Sequence, residues 1–329
     1  MSGAATTNAR RSAALDAVRA AAIATEFARA RQFNAVTKTD ASPVTVADFA
    51  SQAVVAHLLL RRLGEARMLG EETDTLLRSP QYESLLEAVV TAARAAVPSM
   101  EATDVLAALA LPRADPRDGP CWTLDPVDGT KGYLRGGHYA IALAWLEGGT
   151  AIEGTMGCPS LDITQPDPSV VATPGVIATA ASGDIARVDS LVGGDIRPLA
   201  TGNWQRGDPI RLALSFEAAH GNADAAAALA ERVGRIAGCV HIDSSAKYVL
   251  VAAGRADAYL RIPRDVHRAE CVWDHAAGVC IARQAGCVAC DLDGKELDFA
   301  RGATLDANRG IIVAPPRLAE LLVAAGPGV

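Results

Sequence analysis

The N-terminal part of the chain places apolar residues at helical spacing in four stretches. These predicted helices span residues 12–33, Thr45–Leu63, Tyr82–Ala96 and Ala102–Leu109. Between the second and the third, the short apolar segment Ala66–Leu69 predicts a strand that ends just before two adjacent glutamates, Glu71 and Glu72.

Strand-like patterns dominate the middle of the chain. Cys121–Leu124 is apolar and β-prone, and it leads into Asp125–Thr130, whose Pro, Asp and Gly predict a turn. Tyr139–Glu147 and Thr150–Gly157, separated by two glycines, predict a β-hairpin. The segment Val170–Ala181 is expected to continue the same sheet.

Beyond a Ser-Gly-Asp turn at residues 182–184, predicted strands and helices alternate. The predicted strands lie near residues 210–216, 239–242, 257–262 and 310–314. One predicted helix spans Ala223–Ile236, and two others begin at Ser244 and at Asp274. This alternation is typical of a layered α/β arrangement. The pattern therefore predicts an α/β protein with an N-terminal α+β domain over residues 1–182 and a C-terminal α/β domain over 183–329.

Composition and charge exclude several classes of protein. The 329 residues are half hydrophobic, yet no apolar run reaches the length of a membrane span, and the N-terminus has no signal-peptide pattern, so we expect a cytoplasmic protein without a membrane partner. The formal net charge of −7 argues against a nucleic-acid partner. A small anionic substrate is still compatible, because bound cations can reverse the field of an acidic site.

Seven cysteines are spread through the chain. An odd number at irregular spacing favours reduced thiols over a disulfide framework. Cys287 and Cys290 form a single C-x-x-C without a second pair or nearby histidines, which does not favour zinc. Structural thiols and a redox pair both fit this motif, so the sequence leaves its role open.

The most informative motif is D-P-V-D-G-T, Asp125–Thr130, directly after an apolar strand. Two carboxylates three residues apart across a proline-restricted turn can face one point, and the peptide between them offers a carbonyl oxygen. Such oxygen ligands suit Mg²⁺. Gly129 and Thr130 leave backbone N–H groups free, and a helix beginning there would present them to an anion. Taken alone, the motif can also be an ordinary loop.

Two further acidic motifs accompany it. G-E-E-T-D follows the predicted strand at Gly70–Asp74, although adjacent glutamates at a strand end are commonly just a solvated turn. W-D-H-A-A-G at Trp273–Gly278 sets Asp274 at a predicted helix start. Taken alone, an aspartate at this position can be a simple N-cap.

These three motifs, in this order, resemble the inositol monophosphatase superfamily, with a resemblance that runs from about Ser42 to Ala314. The resemblance implies a layered α/β sandwich of the inositol monophosphatase and sugar phosphatase type. It also implies a phosphomonoesterase that uses two or three Mg²⁺ ions per site and is sensitive to lithium.

The resemblance also implies roles for individual residues. The expected metal ligands are the side chains of Glu71, Asp125, Asp128 and Asp274 and the carbonyl of Val127. Asp48, in V-T-V-A-D, and Thr130 are expected to orient the attacking water. Glu72 is expected to lie beside the ligands without binding metal.

The segments Ser42–Gln52, Lys131–Gly149 and His241–Pro263 resemble the 3′(2′),5′-bisphosphate nucleotidases more than the inositol monophosphatases. That family binds the nucleoside through the histidine of E-A-x-H, a Ser-x-x-Lys pair and the arginine of a Tyr-Leu-Arg strand. The implied substrate-binding residues are Gly129, Thr130, His220, Ser244, Lys247 and Arg261. Considered alone, His220 can be a surface histidine, Lys247 a solvated helix residue and Arg261 a structural ion-pair partner.

The resulting prediction is an enzyme that uses a metal-activated water to remove the 3′-phosphate of adenosine 3′,5′-bisphosphate. Two departures from the nucleotidase pattern, at Gly137-His138 and at Ser245, leave open a phosphatase for an inositol phosphate or for a nucleotide intermediate of a specialised biosynthetic pathway. A non-catalytic nucleotide-binding protein is the third hypothesis, although it would not need both the ligands and the water-orienting pair. The sequence does not indicate the oligomeric state.

Overall fold

The computed structural model describes residues 2–33, 36–37, 43–64, 66–111, 113–216, 222–265 and 269–326. The helices are α1 (Ser2–Ala30), α2 (Val46–Leu63), α3 (Glu83–Ala96), α4 (Ala102–Leu109), α5 (Thr130–Leu134), α6 (Ala223–Glu231), α7 (Ala246–Ala252), α8 (Ala276–Gln284) and α9 (Pro316–Ala325), with 3₁₀ turns at Pro80–Tyr82 and Pro116–Asp118. The strands are β1 (Val36–Thr37), β2 (Pro43–Val44), β3 (Met68–Gly70), β4 (Cys121–Asp128), β5 (Ala140–Glu147), β6 (Thr150–Cys158), β7 (Val176–Ala181), β8 (Arg187–Ser190), β9 (Arg197–Pro198), β10 (Ile210–Leu214), β11 (Ile236–His241), β12 (Ala258–Arg261), β13 (Val288–Cys290) and β14 (Ile311–Ala314).

Two large sheets and a two-stranded sheet, in which β1 pairs with β2, organise the described part of the chain. A seven-stranded sheet has its strands in sequence order from β3 to β9, and β3 and β4 are parallel whereas the others are antiparallel. A five-stranded sheet has the order β11-β10-β12-β14-β13. The seven-stranded sheet includes β8 and β9, which lie beyond residue 182. The division into two domains at that residue stays a prediction.

Three hydrophobic clusters pack these elements into alternating layers. Helices α1 to α4 cover one face of the seven-stranded sheet, through buried residues such as Trp122 and Ile141. Helices α7 and α8 lie between its other face and the five-stranded sheet, whose outer face is covered by α6 and α9. This order of layers confirms the predicted fold class. None of the helices in the described ranges combines the length and apolar character needed to cross a membrane.

Several predicted elements differ from the structure. Helix α6 ends at Glu231, not at Ile236, because a turn containing Gly234 precedes β11, which pairs with β10. Strand β7 begins only at Val176, since Pro174 has no N–H for the ladder and Gly175 has a φ of +73°. Helix α1 covers residues 2–30, not 12–33, whereas α2 and α4 match their predicted spans.

Cys287, directly before β13, and Cys290, at the end of β13, are buried free thiols. Burial raises the pKa of each thiol to about 11. The thiolate is the reactive form in disulfide exchange, so these surroundings favour structural thiols over a redox pair.

Candidate active site

The D-P-V-D-G-T segment forms the end of β4, where an extra residue turns both aspartates to one face. Asp125 lies opposite Ala142 of β5 and Asp128 lies opposite Ala140, so three steps along β4 match two along β5. Residues three apart in a regular strand point to opposite faces, whereas this bulge brings Asp125 and Asp128 to the same face. The predicted turn is therefore a bulged strand end, and Oδ1 of buried Asp125 accepts a hydrogen bond from the Val127 amide at 3.1 Å.

The two glutamates after β3 leave the sheet beside this bulge. Gly70, the last residue of β3, pairs with Leu124 in a parallel register, so Glu71 follows at the same edge as Asp125. The side-chain amide of buried Gln52, on α2, holds the next residue. It donates to the Glu72 carbonyl at 2.6 Å and accepts from the Glu72 amide at 2.9 Å. The path of the glutamate pair is thus determined by α2.

The close approach at Gly70 makes this clamp possible. A Cβ at that position would lie 2.7 Å from the amide carbon of Gln52. Any larger residue would displace the Gln52 side chain, and Glu72 would lose both backbone hydrogen bonds. A glycine directly before the glutamates is therefore a packing requirement as well as a turn preference.

The pKa shifts of Asp125 and Asp274 indicate which of the predicted acidic residues lie near one another. Burial raises the pKa of Asp125 well above its usual range, and the negative charges of Glu71, Asp128, Asp274 and Asp48 raise it further. Burial also raises the pKa of Asp274, with Asp128 as the next contributor. The carboxylates of Asp48 on α2, Glu71 after β3, Asp125 and Asp128 on β4 and Asp274 before α8 therefore lie within electrostatic range of one another.

Asp48 and Thr130 meet beside this acidic group. The Thr130 hydroxyl donates to the Val127 carbonyl at 3.1 Å and approaches Oδ1 of Asp48 at 3.4 Å. Oδ2 of Asp48 accepts from the amide and the hydroxyl of Thr45 at 2.8 and 2.6 Å, which completes a capping box at the start of α2. The helix cap holds one carboxylate oxygen and leaves the other turned toward Thr130.

The loop before α7 packs directly on the D-G-T turn. A Cβ on Gly129 would lie 3.0 Å from Cβ of Ser244, and Gly129 itself has a φ of +86°. Ser244 has a φ of +78°, an uncommon conformation for serine. The Ser245 amide donates to Oδ2 of Asp128. Ser244 thus lies next to the D-G-T turn, and its role in substrate binding stays a prediction.

Lys247 is buried, which contradicts the alternative of a solvated helix residue. Its ammonium group donates to the carbonyls of Ile242 and Ser244, at 3.1 and 2.5 Å, and lies 5.3 Å from the ring centroid of Tyr259. Burial lowers the pKa of Lys247 to about 8. In this structure Lys247 supports the backbone of the loop that carries Ser244.

Arg261 is held by Glu270, a residue that the motifs do not single out. Nε of Arg261 donates to Oε1 of Glu270 at 2.7 Å, and a terminal nitrogen lies 2.5 Å from Oε2. Burial alone would raise the pKa of Glu270, but His275, whose Nε2 lies 3.6 Å from Oε2 of Glu270, and the charge of Arg261 lower it to about 2. Nδ1 of His275 bonds the Tyr248 hydroxyl at 2.9 Å. In the sequence, the only indication of a role for Glu270 is its position four residues before Asp274.

Arg261, His138 and His220 differ in how they relate to the acidic site. Arg261 contributes to the pKa of Asp274, so it acts on the acidic site while paired with Glu270. His138, one of the departures from the nucleotidase pattern, is buried, and its Nε2 bonds the Ser169 carbonyl at 2.9 Å. His220 lies outside the described residues.

The donor set fits hard divalent cations. The neighbours that shift the pKa of Asp125 are all carboxylates, and carboxylate oxygens are the ligands that Mg²⁺ prefers. Among the described residues, the group that places one ligand atom each within 4.8 Å of one another is Glu270, Asp274 and His275. Both oxygens of Glu270 bind Arg261, however, so we assign that residue to positioning the arginine.

Comparison with known proteins identifies the family of the chain. The sequence profile described as the inositol monophosphatase family matches residues 7–327. The chain is 32% identical over 315 residues to a 3′(2′),5′-bisphosphate nucleotidase of Emericella nidulans, covering 88% of this chain and 89% of that protein. It is 34% identical over 308 residues to a protein of the same name from Schizosaccharomyces pombe, covering 90% and 86%.

A solved structure shares the fold at lower identity. The inositol monophosphatase of Anabaena superposes with a TM-score of 0.63 at 18% identity, covering 97% of this chain and 95% of that one. The arrangement of helices and sheets is therefore common to both proteins.

Proposed function

The chain belongs to the inositol monophosphatase family and, within it, to the 3′(2′),5′-bisphosphate nucleotidases, and on this premise we propose that it hydrolyses the 3′-phosphate of adenosine 3′,5′-bisphosphate. The products are AMP and inorganic phosphate. The oxygen of water forms a new bond to phosphorus as the bond between phosphorus and the ribose 3′-oxygen breaks. The released 3′-oxygen takes up a proton. The reaction is the hydrolysis of a phosphoric monoester.

One observation carries this proposal: the bulge in β4 that turns Asp125 and Asp128 to one face, where Glu71 and Asp274 add their charges. A concentration of buried carboxylates repels a phosphate ester unless cations are present. Such a group is therefore suited to phosphate chemistry only as a cation site. A protein that merely bound a nucleotide would have no use for it.

The described side chains have distinct roles in the proposed reaction. Thr130, between the Asp48 carboxylate and the Val127 carbonyl, orients the attacking water, and Asp48 accepts its proton. Gly129 and Ser244 border the phosphate to be removed. Arg261, aligned by Glu270, is proposed to bind the 5′-phosphate, and Lys247 supports the loop of Ser244.

Magnesium is the proposed cofactor, with two or three ions per site. Glu71, Asp125, Asp128, Asp274 and the carbonyl of Val127 would hold it. When bound, Mg²⁺ supplies a more acidic water and positive charge for the departing oxygen. Glu72 would stay beside the ligands, where Gln52 holds its backbone. We also propose that lithium and calcium inhibit the magnesium-dependent activity.

The deciding experiment is a phosphate-release panel across nucleoside bisphosphates, nucleoside monophosphates and inositol phosphates, with and without chelator. We expect the highest kcat/KM for adenosine 3′,5′-bisphosphate and no turnover in excess chelator. A preference for inositol phosphates would replace the proposed substrate. Full turnover with chelator would exclude the metal site, and binding without turnover would make the protein a nucleotide-binding module.

The proposed location is the cytoplasm. The seven cysteines are free thiols, and reduced thiols persist in that compartment. Fractionation of cells that express the protein tests this location, with recovery in an oxidising compartment as the contrary result.

A further inference from the structure

Arg113 lies over the indole ring of Trp273, the residue directly before Asp274. Its guanidinium carbon is 4.9 Å from the ring centroid. A guanidinium above the face of an aromatic ring is attracted by the ring electrons, and tryptophan is the strongest aromatic partner for such a cation. Within the described ranges no carboxylate forms an ion pair with Arg113, so the indole is its close electrostatic contact.

Arg113 is tied through the backbone to the strand that leads into Glu71. Strand β3 is at the edge of the seven-stranded sheet and pairs with β4 on one side. On its other side Met68 forms a parallel bridge with Arg113, and the Ala114 amide donates to the Met68 carbonyl at 2.9 Å. Glu71 follows Met68 by three residues. A displacement of Arg113 would therefore be felt at Glu71.

Trp273 belongs to the opposite side of the acidic site. Its ring is buried in the hydrophobic cluster that packs α7 and α8 between the two large sheets. Because Trp273 and Asp274 are consecutive, a shift of the indole would move the backbone of Asp274. The contact between Arg113 and Trp273 thus joins the β3 side of the site to the α8 side.

Like charges oppose the approach of these two sides. The charge of Glu71 is among the causes that raise the pKa of Asp274, so the two carboxylates lie within electrostatic range. Their repulsion favours separation of β3 from the loop before α8. A contact that holds the two sides together in advance reduces the free energy that cation binding would otherwise spend on bringing them together.

We propose that Arg113 is a positioning residue of the metal site, which by stacking on Trp273 holds Glu71 and Asp274 together for a divalent cation. This inference rests on the proposed function and adds a residue outside the three acidic motifs. Direct contact with substrate is the other role open to an exposed arginine. An arginine that binds substrate affects KM, whereas one that aligns metal ligands affects the affinity for the cation.

The test measures cation binding without turnover. Mn²⁺ accepts the same oxygen ligands as Mg²⁺, and electron paramagnetic resonance of the free ion gives its Kd for the full-length protein without substrate. Arg113→Met keeps a long unbranched side chain and removes the charge. We expect the Kd for Mn²⁺ to rise about two- to fivefold, the effect of losing one exposed cation–π contact. Arg113→Lys keeps a cation and should recover part of the affinity.

Turnover supplies the second readout. For Arg113→Met, the Mg²⁺ concentration that gives half-maximal activity should rise by the same factor. At saturating Mg²⁺, KM for adenosine 3′,5′-bisphosphate should equal the wild-type value. This split between cation affinity and KM separates alignment of the metal ligands from contact with the substrate.

A partner variant and a matched control complete the design. Trp273→Phe leaves a weaker aromatic partner and should also raise the Kd for Mn²⁺, and adding Arg113→Met to it should have little further effect, because both remove the same contact. Arg31→Met is the control. Its guanidinium carbon lies 5.0 Å from the Phe27 ring centroid at the C-terminal end of α1, and its loss should leave the Kd unchanged.

The outcomes distinguish this inference from the proposed function. If wild-type protein binds Mn²⁺ and Arg113→Met binds it equally well, the positioning role is wrong and the metal site stands. A raised KM at saturating Mg²⁺ with an unchanged Kd would also overturn it and assign Arg113 to the substrate. A lower melting temperature in chelator with an unchanged Kd would reduce the contact to packing. If wild-type protein binds no Mn²⁺, both proposals fail.

Discussion

At the scale of single residues, the candidate site depends on how each charged group is surrounded. Asp125 is buried among other carboxylates, Lys247 among backbone carbonyls, and Arg261 is aligned by Glu270. Burial raises the pKa of Asp125 and lowers that of Lys247, because in each case it disfavours the charged form. At the proposed cation site, bound cations would offset this cost for Asp125, whereas hydrogen bonds to carbonyl oxygens offset it for Lys247.

Replacing Asp125 with Asn tests the central carboxylate. The amide keeps the shape and can still accept the hydrogen bond from Val127, so the fold should survive, but a charged ligand is lost. We expect kcat to fall about a thousandfold, equivalent to roughly 4 kcal/mol. Phosphate release and thermal unfolding measure the two effects, with Asp195→Asn, an exposed aspartate, as the matched control. A folded variant with near-normal turnover would contradict the assignment.

Replacing Arg261 with Ala tests recognition of the second phosphate. A lost charge-assisted contact should raise KM for adenosine 3′,5′-bisphosphate about ten- to a hundredfold. An inositol monophosphate has no such phosphate and should be affected far less. Glu270→Gln keeps Arg261 but weakens its alignment, so we expect a smaller effect of the same kind. Equal losses on both substrates would show that Arg261 is purely structural.

The buried ammonium of Lys247 makes stability depend on pH. Its pKa falls from 10.5 to about 8 on folding, so between these values the unfolded chain binds more protons than the folded protein. The free energy of unfolding should therefore rise with pH across this window, by at most roughly 3 kcal/mol, relative to Lys247→Met. Urea unfolding of both proteins at several pH values measures the difference. A difference that stays constant with pH would disprove the shift.

At the scale of elements, close contacts between strands and helices place the acidic residues. Helix α8, which begins two residues after Asp274, packs against β6 at Gly154, where a Cβ would lie 2.7 Å from the Ala277 carbonyl. On the opposite side α8 meets α7 at Gly278, where a Cβ would lie 2.3 Å from the Tyr248 ring. The position of Asp274 thus depends on two glycine contacts.

Gly278→Ala should therefore disturb both stability and activity. Alanine favours a helix over glycine by about 1 kcal/mol, but the clash with Tyr248 should outweigh this gain, and overpacking costs typically about 1–3 kcal/mol. Tyr248 bonds His275, so we expect reduced kcat as well as a lower melting temperature. Gly238→Ala, with nothing within 4 Å of the added Cβ, is the matched control. An unchanged melting temperature for Gly278→Ala would show that α7 and α8 can separate without cost.

At the scale of the whole molecule, the site joins the two sheets. Glu71, Asp125 and Asp128 follow or belong to strands of the seven-stranded sheet, whereas Ser245 and Asp274 belong to the part of the chain that forms the five-stranded sheet. A cation bound by both groups would be retained only in the folded arrangement. Metal binding should therefore be linked to global stability.

Magnesium should raise the melting temperature of the wild-type protein and chelator should lower it again. A ligand at about a hundred times its Kd stabilises the folded state by roughly 2.7 kcal/mol, enough for a shift of a few degrees. Asp125→Asn should lose most of this shift, and Asp195→Asn should keep it. A shift of equal size in all three proteins would show that magnesium binds elsewhere.

The amino-acid sequence alone is sufficient to predict several helices and the family. Apolar spacing predicted α2 and α4 correctly, because helix periodicity is a property of neighbouring residues, and three ordered acidic motifs indicated the family. The contacts that those residues make depend on the three-dimensional arrangement of the elements. The bulge that aligns Asp125 with Asp128 is defined by pairing with β5, the burial of Lys247 by the surrounding layers, and the role of Glu270 by the approach of Arg261. Register, burial and ion pairing join residues that are distant along the chain, and no local pattern records them.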